Sequence, residues 1–215
     1  MRIQFDQQLE QLNLELIKMG SLCEEAIQLA VARLLGEENA GESDVWDLED
    51  KINHKERDIE TLCMKLLLRQ QPVSRDLRKI SSALKMISDM ERIGDQANDI
   101  SDMAKFVLVR ENAHKTPIFD MAEATTKMVK ESIDSFVRKD LLAAREVVDY
   151  DDVVDELFVK VKEELIALAA KDASNSEYYI DLVMIAKYFE RIGDHAENIA
   201  EWVIYSITGV HEKKN

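Results

Sequence analysis

The 215-residue chain has few of the residues that sheet-rich or disulfide-bonded proteins need. It contains only 6 glycines and 2 prolines, which leaves few breakers for the many turns of a sheet protein. Its two cysteines, Cys23 and Cys63, form no CxxC motif and no even framework in a small chain. That spacing argues against a thiolate zinc site and against a disulfide scaffold. We therefore expect a helical protein with two buried, reduced thiols.

The chain also lacks long apolar runs and an excess of positive charge. No stretch approaches the roughly 18 apolar residues of a membrane span, and the start, MRIQFDQQLEQ, has no basic stretch leading into an apolar core. Acidic residues outnumber basic ones 43 to 28, for a net charge of −15, which repels nucleic acid and anionic lipid and attracts cations. We expect a soluble, cytoplasmic protein that binds no nucleic acid and is peripheral to membrane complexes at most.

The chain repeats itself. The segment ERIGDQANDI begins at Glu91 and ERIGDHAENI begins at Glu190, 99 residues later. Upstream, EDKIN at residues 49–53 resembles DDVVD at residues 151–155. Self-similarity at such a period argues for two copies of one domain. We expect a first domain over residues 1–112 and a second over residues 113–215, with the boundary near residues 111–117.

Breakers and periodic apolar residues predict six helices, three in each repeat. The first repeat has predicted helices from Phe5 to Leu35, from Ser43 as a plausible N-cap to just before Pro72, and from Ser74 to about Arg110. In the second repeat, Pro117 starts a helix, and breaks are predicted near Lys139 and Asp140 and at residues 171–175. The predicted fold class is all-α, with two tandem three-helix bundles in which neighbouring helices run antiparallel.

One stripe of the third helix changes from apolar to acidic midway along its length. The apolar part of the stripe consists of Ile80, Leu84 and Ile87. At about 100° per residue, the same ridge continues with Glu91, Asp95, Asn98 and Asp102. The sixth helix repeats the change, with Glu190, Asp194, Glu197 and Glu201 on its ridge. Like charges at i,i+4 destabilise a helix by a few tenths of a kcal/mol per pair, so each ridge needs a compensating partner or plain water.

Basic side chains are not expected to compensate these ridges. No lysine or arginine falls on either ridge within the ExxxD core, because Arg92 and Arg191 project about 100° away. His195 lies about 140° from Glu190 on the same wheel, and Gln96 replaces it in the first copy. We expect His195 to be structural or exposed rather than a ligand.

Two other helices supply a second acidic wall. Glu49, Asn53 and Glu56 are spaced i, i+4, i+7 on the second helix, and Asp151 and Asp155 are spaced i, i+4 on the fifth. Where these helices pack beside the ERIGD helices, carboxylates and amides converge, and such oxygen clusters suit Mg²⁺, Mn²⁺ or iron. The alternative interpretation is that both ridges are solvated faces, as most charged stripes are. The duplication of the pattern favours the metal interpretation.

The two ERIGD segments, with RQQPVSRDLR at residues 69–78, resemble the PhoU family of phosphate-signalling proteins over nearly the whole chain. The resemblance implies two PhoU domains of three helices each, a cytoplasmic homodimer, and multinuclear sites for divalent or ferric ions (iron, Mn, Mg or Zn). The motif positions that carry over are Glu91 and Asp95 in the first copy and Glu190, Asp194 and Asn198 in the second. Asp99 replaces the last of these in the first copy, and Asn53 stands where the second half has Asp155, so the two sites need not bind equally.

The same resemblance implies a regulator rather than an enzyme. It predicts negative control of phosphate uptake and of the phosphate-starvation response, through the ATPase subunit of the phosphate ABC transporter and its partner sensor histidine kinase. A carboxylate-bridged di-metal oxidase is the alternative, but such enzymes use Glu-x-x-His pairs on facing helices. The only such spacing, Glu111 with His114, falls at the expected domain boundary. A metal-free scaffold, whose acidic ridges only keep it soluble, is the third interpretation.

A basic segment interrupts this acidic chain around Pro72. Arg69, Arg75 and Arg78 lie within ten residues of one another. They are candidates for contact with an acidic partner or an anion. They are equally compatible with helix-end charges that solvate a turn.

Overall fold

The computed structural model describes residues 2–37, 42–70, 72–107 and 117–211, and in these ranges the protein is helical throughout, without a strand. The helices are α1 (Arg2–Leu34), α2 (Glu42–Gln70), α3 (Ser74–Ala104), α4 (Ile118–Arg138), α5 (Leu141–Lys171) and α6 (Ser176–Thr208). A short 3₁₀ turn, Ala173–Asn175, joins the last two. The predicted all-α class and the number of helices are confirmed.

Several helix boundaries differ from those predicted, and α1 begins at Arg2 instead of Phe5. α3 ends at Ala104 instead of reaching Arg110, because the chain tightens into i→i−3 turns in which Phe106 and Val107 donate to Met103 and Ala104. Val107 is fully buried, so the turn directs it into the core. α2 begins at Glu42, which places the predicted N-cap Ser43 inside the first turn. Arg110 itself and the predicted domain boundary at residues 112 and 113 lie outside the described residues.

The break between α4 and α5 is formed by two adjacent residues with different roles. Lys139 caps the end of α4 in the left-handed conformation, with φ 55° and ψ 43°. Asp140 caps the start of α5, and its side chain accepts hydrogen bonds from the backbone N–H groups of Leu142 and Ala143 at 3.1 Å each. The predicted break is therefore confirmed.

The six helices form two three-helix bundles with one shared core. α1, α2 and α3 pack together, as do α4, α5 and α6, and the bundles meet where α3 packs on α6 and α1 on α4. The buried apolar side chains form one continuous cluster through both bundles. Residues near the start of α3 lie beside residues near the end of α6, so these two helices run antiparallel. The ERIGD segments therefore lie near each other midway along that contact.

Two further expectations concern the thiols and the membrane. Cys23 and Cys63 are free and buried, as predicted, and burial raises the pKa of both thiols, that of Cys63 to about 12. Over the residues that the structure describes, no helix is both long and apolar enough to span a bilayer.

Candidate metal centre

The glycines of the two ERIGD segments allow close helix contacts. A Cβ atom at Gly94 of α3 would lie 2.9 Å from Cδ1 of Ile52 on α2. A Cβ atom at Gly193 of α6 would lie 3.2 Å from Cγ1 of Val154 on α5. Because Ile52 and Val154 stand inside the EDKIN and DDVVD segments, each glycine brings an acidic segment against an ExxxD ridge. This contact explains why the repeated features occur together.

In the first bundle, α2 and α3 bring carboxylates together as predicted. The pKa of Glu49 is raised first by burial and then by the negative charges of neighbouring carboxylates on α3. Those neighbours are Asp95, Asp99, Glu91 and Asp102. We call these five residues the first acidic cluster. Asn53, the remaining predicted ligand of this half, is half-buried one helical turn after Glu49.

One oxygen of Glu49 is the least satisfied atom of the first acidic cluster. Its Oε2 atom is buried and has no hydrogen-bond partner among the described residues. A buried carboxylate oxygen without a donor is unfavourable unless the group is protonated or bound to a cation. The pKa values of Glu91 and Asp99 are likewise raised, first by burial and then by Asp95.

Arg92 contradicts the expectation that no basic side chain reaches the ridge. Its Nη1 atom lies 3.0 Å from Oδ2 of Asp95, and its Nε atom lies 3.4 Å from Oε2 of Glu91. The helical wheel gives the direction of Cβ, but the long arginine side chain turns back along the helix. Because the Arg92 side chain is 61% exposed, this ion pair is weak and a bound cation can displace it.

The second bundle assembles a matching group on α5 and α6. The pKa of Asp194 is raised first by burial, then by Glu190, and also by Asp155. Asp151 is buried, and its Oδ1 atom lies 3.3 Å from the position of a Cβ atom at Gly193. These four residues are the second acidic cluster. All four were predicted to come together.

Lys187 neutralises part of the second acidic cluster. Its ammonium group contacts both carboxylate oxygens of Glu190, and it also lies 5.3 Å from the ring centroid of Phe158. Sequence reasoning missed this partner, although the i,i+3 spacing from Lys187 to Glu190 was visible. The two clusters therefore differ in the cation that contacts them, because Arg92 beside the first is 61% exposed whereas Lys187 beside the second is 37% exposed.

Asn198, the last predicted ligand, points toward α3 instead. Its Nδ2 atom donates to Oδ1 of Asp89 at 3.3 Å, and Nδ1 of His195 lies 3.0 Å from the same oxygen. These contacts connect the two bundles and agree with the structural role expected of His195. Asp89 was not among the predicted residues, since only the antiparallel contact of α3 with α6 brings it to His195.

The donor atoms of the first acidic cluster fit a hard cation, but the cluster is not preassembled. Within the described ranges, no three His, Cys, Asp or Glu side chains stand in positions that would hold a metal ion. All five members nevertheless offer carboxylate oxygens, the donors that Mg²⁺, Mn²⁺ and iron accept, and one of these oxygens is buried without a partner. Binding would therefore need side chains to rotate inward, and the metal sites stay a prediction.

Comparison with known proteins decides the family. A model of the PhoU domain matches residues 16–104 and again residues 118–203. The chain belongs to the PhoU family. The two matches fall on the two three-helix bundles, so the resemblance noted from the ERIGD segments is confirmed.

Individual PhoU relatives match over nearly their whole length. The chain is 34% identical over 208 residues to a phosphate-specific transport system accessory protein PhoU homolog of Pseudomonas aeruginosa, covering 96% of this chain and 86% of the relative. It is also 34% identical to the homolog of that name from Clostridium acetobutylicum, covering 95% and 94% of the two chains. The crystal structure of PhoU from Pseudomonas aeruginosa superposes with a TM-score of 0.89 at 33% identity, covering 96% of this chain and all of that one.

Proposed function

We propose that this PhoU protein is an accessory regulator of phosphate transport. Membership of the PhoU family and the names of the Pseudomonas and Clostridium relatives, which are phosphate-specific transport system accessory proteins, support the proposal. In detail, the chain would restrain phosphate uptake and the phosphate-starvation response through two partners. These are the ATPase subunit of the phosphate ABC transporter and its sensor histidine kinase, which the chain would meet in the cytoplasm as a homodimer.

The observation that carries the molecular part of the proposal is the unpartnered Oε2 atom of Glu49 among the carboxylates of α3. Glu49, Glu91, Asp95 and Asp99 would hold a divalent or ferric ion in the first bundle, with Asn53 beside them. Asp151, Asp155, Glu190 and Asp194 would hold one in the second bundle, with Asn198 nearby. A bound ion neutralises each cluster and fixes α2 to α3 and α5 to α6.

The carboxylates themselves would couple the metal to the partner surface. Without a cation, like charges on α2 and α3 repel across the contact at Gly94, and this repulsion adds to burial in raising the pKa of Glu49. With a cation bound between the helices, each carboxylate is attracted to the ion, and the repulsion between α2 and α3 is replaced by attraction to a shared charge. The relative position of α2 and α3, and hence the surface they offer to a partner, would then depend on metal occupancy.

We further propose that the chain is not an enzyme. The relatives are named as accessory proteins, and His195, the histidine next to the second acidic cluster, is engaged with Asp89. Oxygen consumption by the iron-loaded protein separates the regulator from a di-metal oxidase. We expect no consumption above that of free iron, whereas sustained turnover would favour the oxidase.

The direct test of the regulatory role is affinity capture from cells grown at high and at low phosphate. We expect the tagged chain to recover the transporter ATPase subunit and the sensor kinase, in amounts that change with phosphate. The variant Glu91→Ala with Asp95→Ala should recover less of both, and Glu60→Gln, an exposed change on α2, should recover as much as the wild type. Recovery of neither partner at either phosphate level would contradict the proposed function.

A further inference from the structure

A cavity of about 280 Å³ lies where the ends of four helices meet. Its lining comes mainly from the start of α3 and the ends of α4 and α6, with apolar side chains from α1 and α6. The polar and aromatic residues are Arg75, Asp76 and Lys79 of α3, Phe136 and Lys139 at the end of α4, and Ser206 of α6. The cavity is separate from the acidic clusters, because Lys79 precedes Glu91 by about 18 Å along α3. Its volume is below that of pockets for drug-sized ligands, which suits a small ion.

The charge around this cavity is opposite to that of the whole chain. Three cationic side chains, Arg75, Lys79 and Lys139, face one carboxylate, Asp76, in a protein of net charge −15. Burial, and then Lys139, lower the pKa of Lys79 to about 8, and Asp76 only partly opposes them. The positive charges are thus crowded and incompletely balanced. A concave site of this kind attracts an anion.

The end of α4 fixes the position of Lys139 at the cavity. Among the described residues, Lys139 is the one non-glycine with a positive φ, and it occupies the C-cap of α4, where glycine is the usual residue. A lysine in the left-handed conformation is less favourable than a glycine. The backbone N–H of Lys139 donates to the oxygen of Phe136 as part of the helix cap, and this cap places a cation at the cavity wall.

The start of α3 adds further donors. Val73, its N-cap residue, makes no side-chain capping bond, so the first N–H groups of α3 lack the usual acceptor next to Arg75 and Asp76. The cavity therefore combines the positive end of a helix with cationic side chains.

Two acceptors in the cavity distinguish one oxyanion from another. The Ser206 hydroxyl donates to the backbone oxygen of Val203 at 2.8 Å, which leaves its lone pairs to accept a hydrogen bond. The Asp76 carboxylate also only accepts when ionised. Phosphate at neutral pH carries a P–OH group that can donate to such acceptors, whereas sulfate carries none and is repelled by the carboxylate.

We propose that this cavity binds free inorganic phosphate, held by Arg75, Lys79 and Lys139 and selected over sulfate by Asp76 and Ser206. Binding would reduce the repulsion between Lys79 and Lys139 and would join α3, α4 and α6, which belong to both bundles. The physiological meaning of this site, direct sensing of phosphate by a regulator of its transport, rests on the proposed function. The binding itself does not.

Isothermal titration calorimetry of the full-length chain, with chelator present and with sodium phosphate or sodium sulfate as the titrant, tests the site. We expect one phosphate per chain and an affinity for sulfate lower by about tenfold or more. Lys139→Gly keeps the left-handed cap and removes the cation, so it should fold well and still weaken phosphate binding by about tenfold. Asp76→Asn should reduce the difference between the affinity for phosphate and the affinity for sulfate.

A matched variant locates the effect. Lys105→Gln removes an exposed cation at the other end of α3 and should bind phosphate as the wild type does. Three results would each overturn the proposal. They are no heat of binding when phosphate is added to the wild type, equal affinity of the wild type for phosphate and sulfate, and an unchanged affinity for phosphate in Lys139→Gly. A chain that captures the transporter yet binds no phosphate would contradict this inference alone. A chain that binds phosphate but captures no partner would contradict the proposed function alone.

Discussion

His195 of α6 and Asp89 of α3 form a hydrogen bond across the contact between the two bundles, with 3.0 Å between Nδ1 and Oδ1. Both side chains are mostly buried, at 23% and 17% exposure. Asn198 donates to the same oxygen at 3.3 Å. Because one carboxylate serves two donors, Asp89 is the central polar group of this contact.

Asp89→Ala should lower the free energy of unfolding by about 1–3 kcal/mol, because it leaves two partly buried donors without their acceptor. His195→Ala should lower the free energy of unfolding less in the Asp89→Ala background than in the wild type, with a coupling energy of about 1 kcal/mol. Urea denaturation of the four proteins measures both quantities. Asp134→Ala removes an exposed pair with Arg138 and should change the stability by less than about 0.5 kcal/mol. Strict additivity of the first two variants would contradict the contact.

Gly94→Ala tests the close approach of α2 to α3. A methyl group at this position meets Cδ1 of Ile52, and we expect a net loss of about 1 kcal/mol, since overpacking costs about 1–3 kcal/mol and the gain in helix propensity is at most about 1 kcal/mol. In the Ile52→Val background the clashing atom is absent, so the same Gly94→Ala change should be neutral or stabilising. Thermal unfolding of the four proteins provides the comparison. An equal loss in both backgrounds would show that Ile52 is not the obstacle.

Glu49→Gln tests whether the first acidic cluster is repulsive without metal. The folded state raises the pKa of Glu49 above its ordinary value of 4.5, so between these two pKa values the folded protein binds more protons than the unfolded chain. Stability contributed by Glu49 is therefore full below its ordinary pKa and is lost as pH rises through the raised one. With chelator present, Glu49→Gln should stabilise the protein at pH 7 by up to about 1 kcal/mol and have a smaller effect near pH 4.

The matched control for this prediction is Glu60→Gln, an exposed substitution of the same kind on α2. It should change the free energy of unfolding by less than about 0.5 kcal/mol at either pH. If Glu49→Gln were destabilising at pH 7, the cluster would not be repulsive in the metal-free protein.

Much of the fold could be predicted from the sequence, because its signals are local or repeated. The scarcity of glycine and proline, the breaks at Pro72 and Asp140, and the two ERIGD segments were enough for six helices in two bundles. The convergence of Glu49 with the α3 ridge was also predictable, since helical periodicity and the repeat fix which faces meet. Inferring which helix faces meet requires only the direction of each Cβ atom, and helical periodicity gives that direction.

The remaining features depend on side-chain length and on contacts between the bundles. Arg92 donates a hydrogen bond to Asp95 because its long side chain reaches across the angle of about 100° that separates its Cβ atom from the acidic ridge on the helical wheel. Asp89 meets His195 only through the antiparallel packing of α3 on α6, which no single repeat encodes. Arg75 was noted as a candidate for contact with an anion, but the cavity was not predicted, because Lys139 of α4 and Ser206 of α6 are distant from Arg75 in sequence and meet it only in the fold.

The two cysteines report on the integrity of the shared core. Burial raises the pKa of Cys63 to about 12 and that of Cys23 still further, and the Cys23 thiol also donates to the backbone oxygen of Met90 at 3.4 Å. We expect neither thiol to react with a disulfide reagent in the native protein at pH 8, and both to react after denaturation. Rapid labelling of either thiol in the folded chain would contradict this packing.

The most direct test of the central claim is the binding of Mn²⁺ to the chelator-treated chain, measured by calorimetry and by elemental analysis after desalting. We expect the wild type to bind Mn²⁺ and to gain thermal stability from it. Glu91→Ala with Asp95→Ala should empty the site in the first bundle, and Glu60→Gln should bind as the wild type does. Full occupancy in the double variant, or no binding by the wild type, would contradict the claim that the carboxylates of α2 and α3 converge to hold a cation.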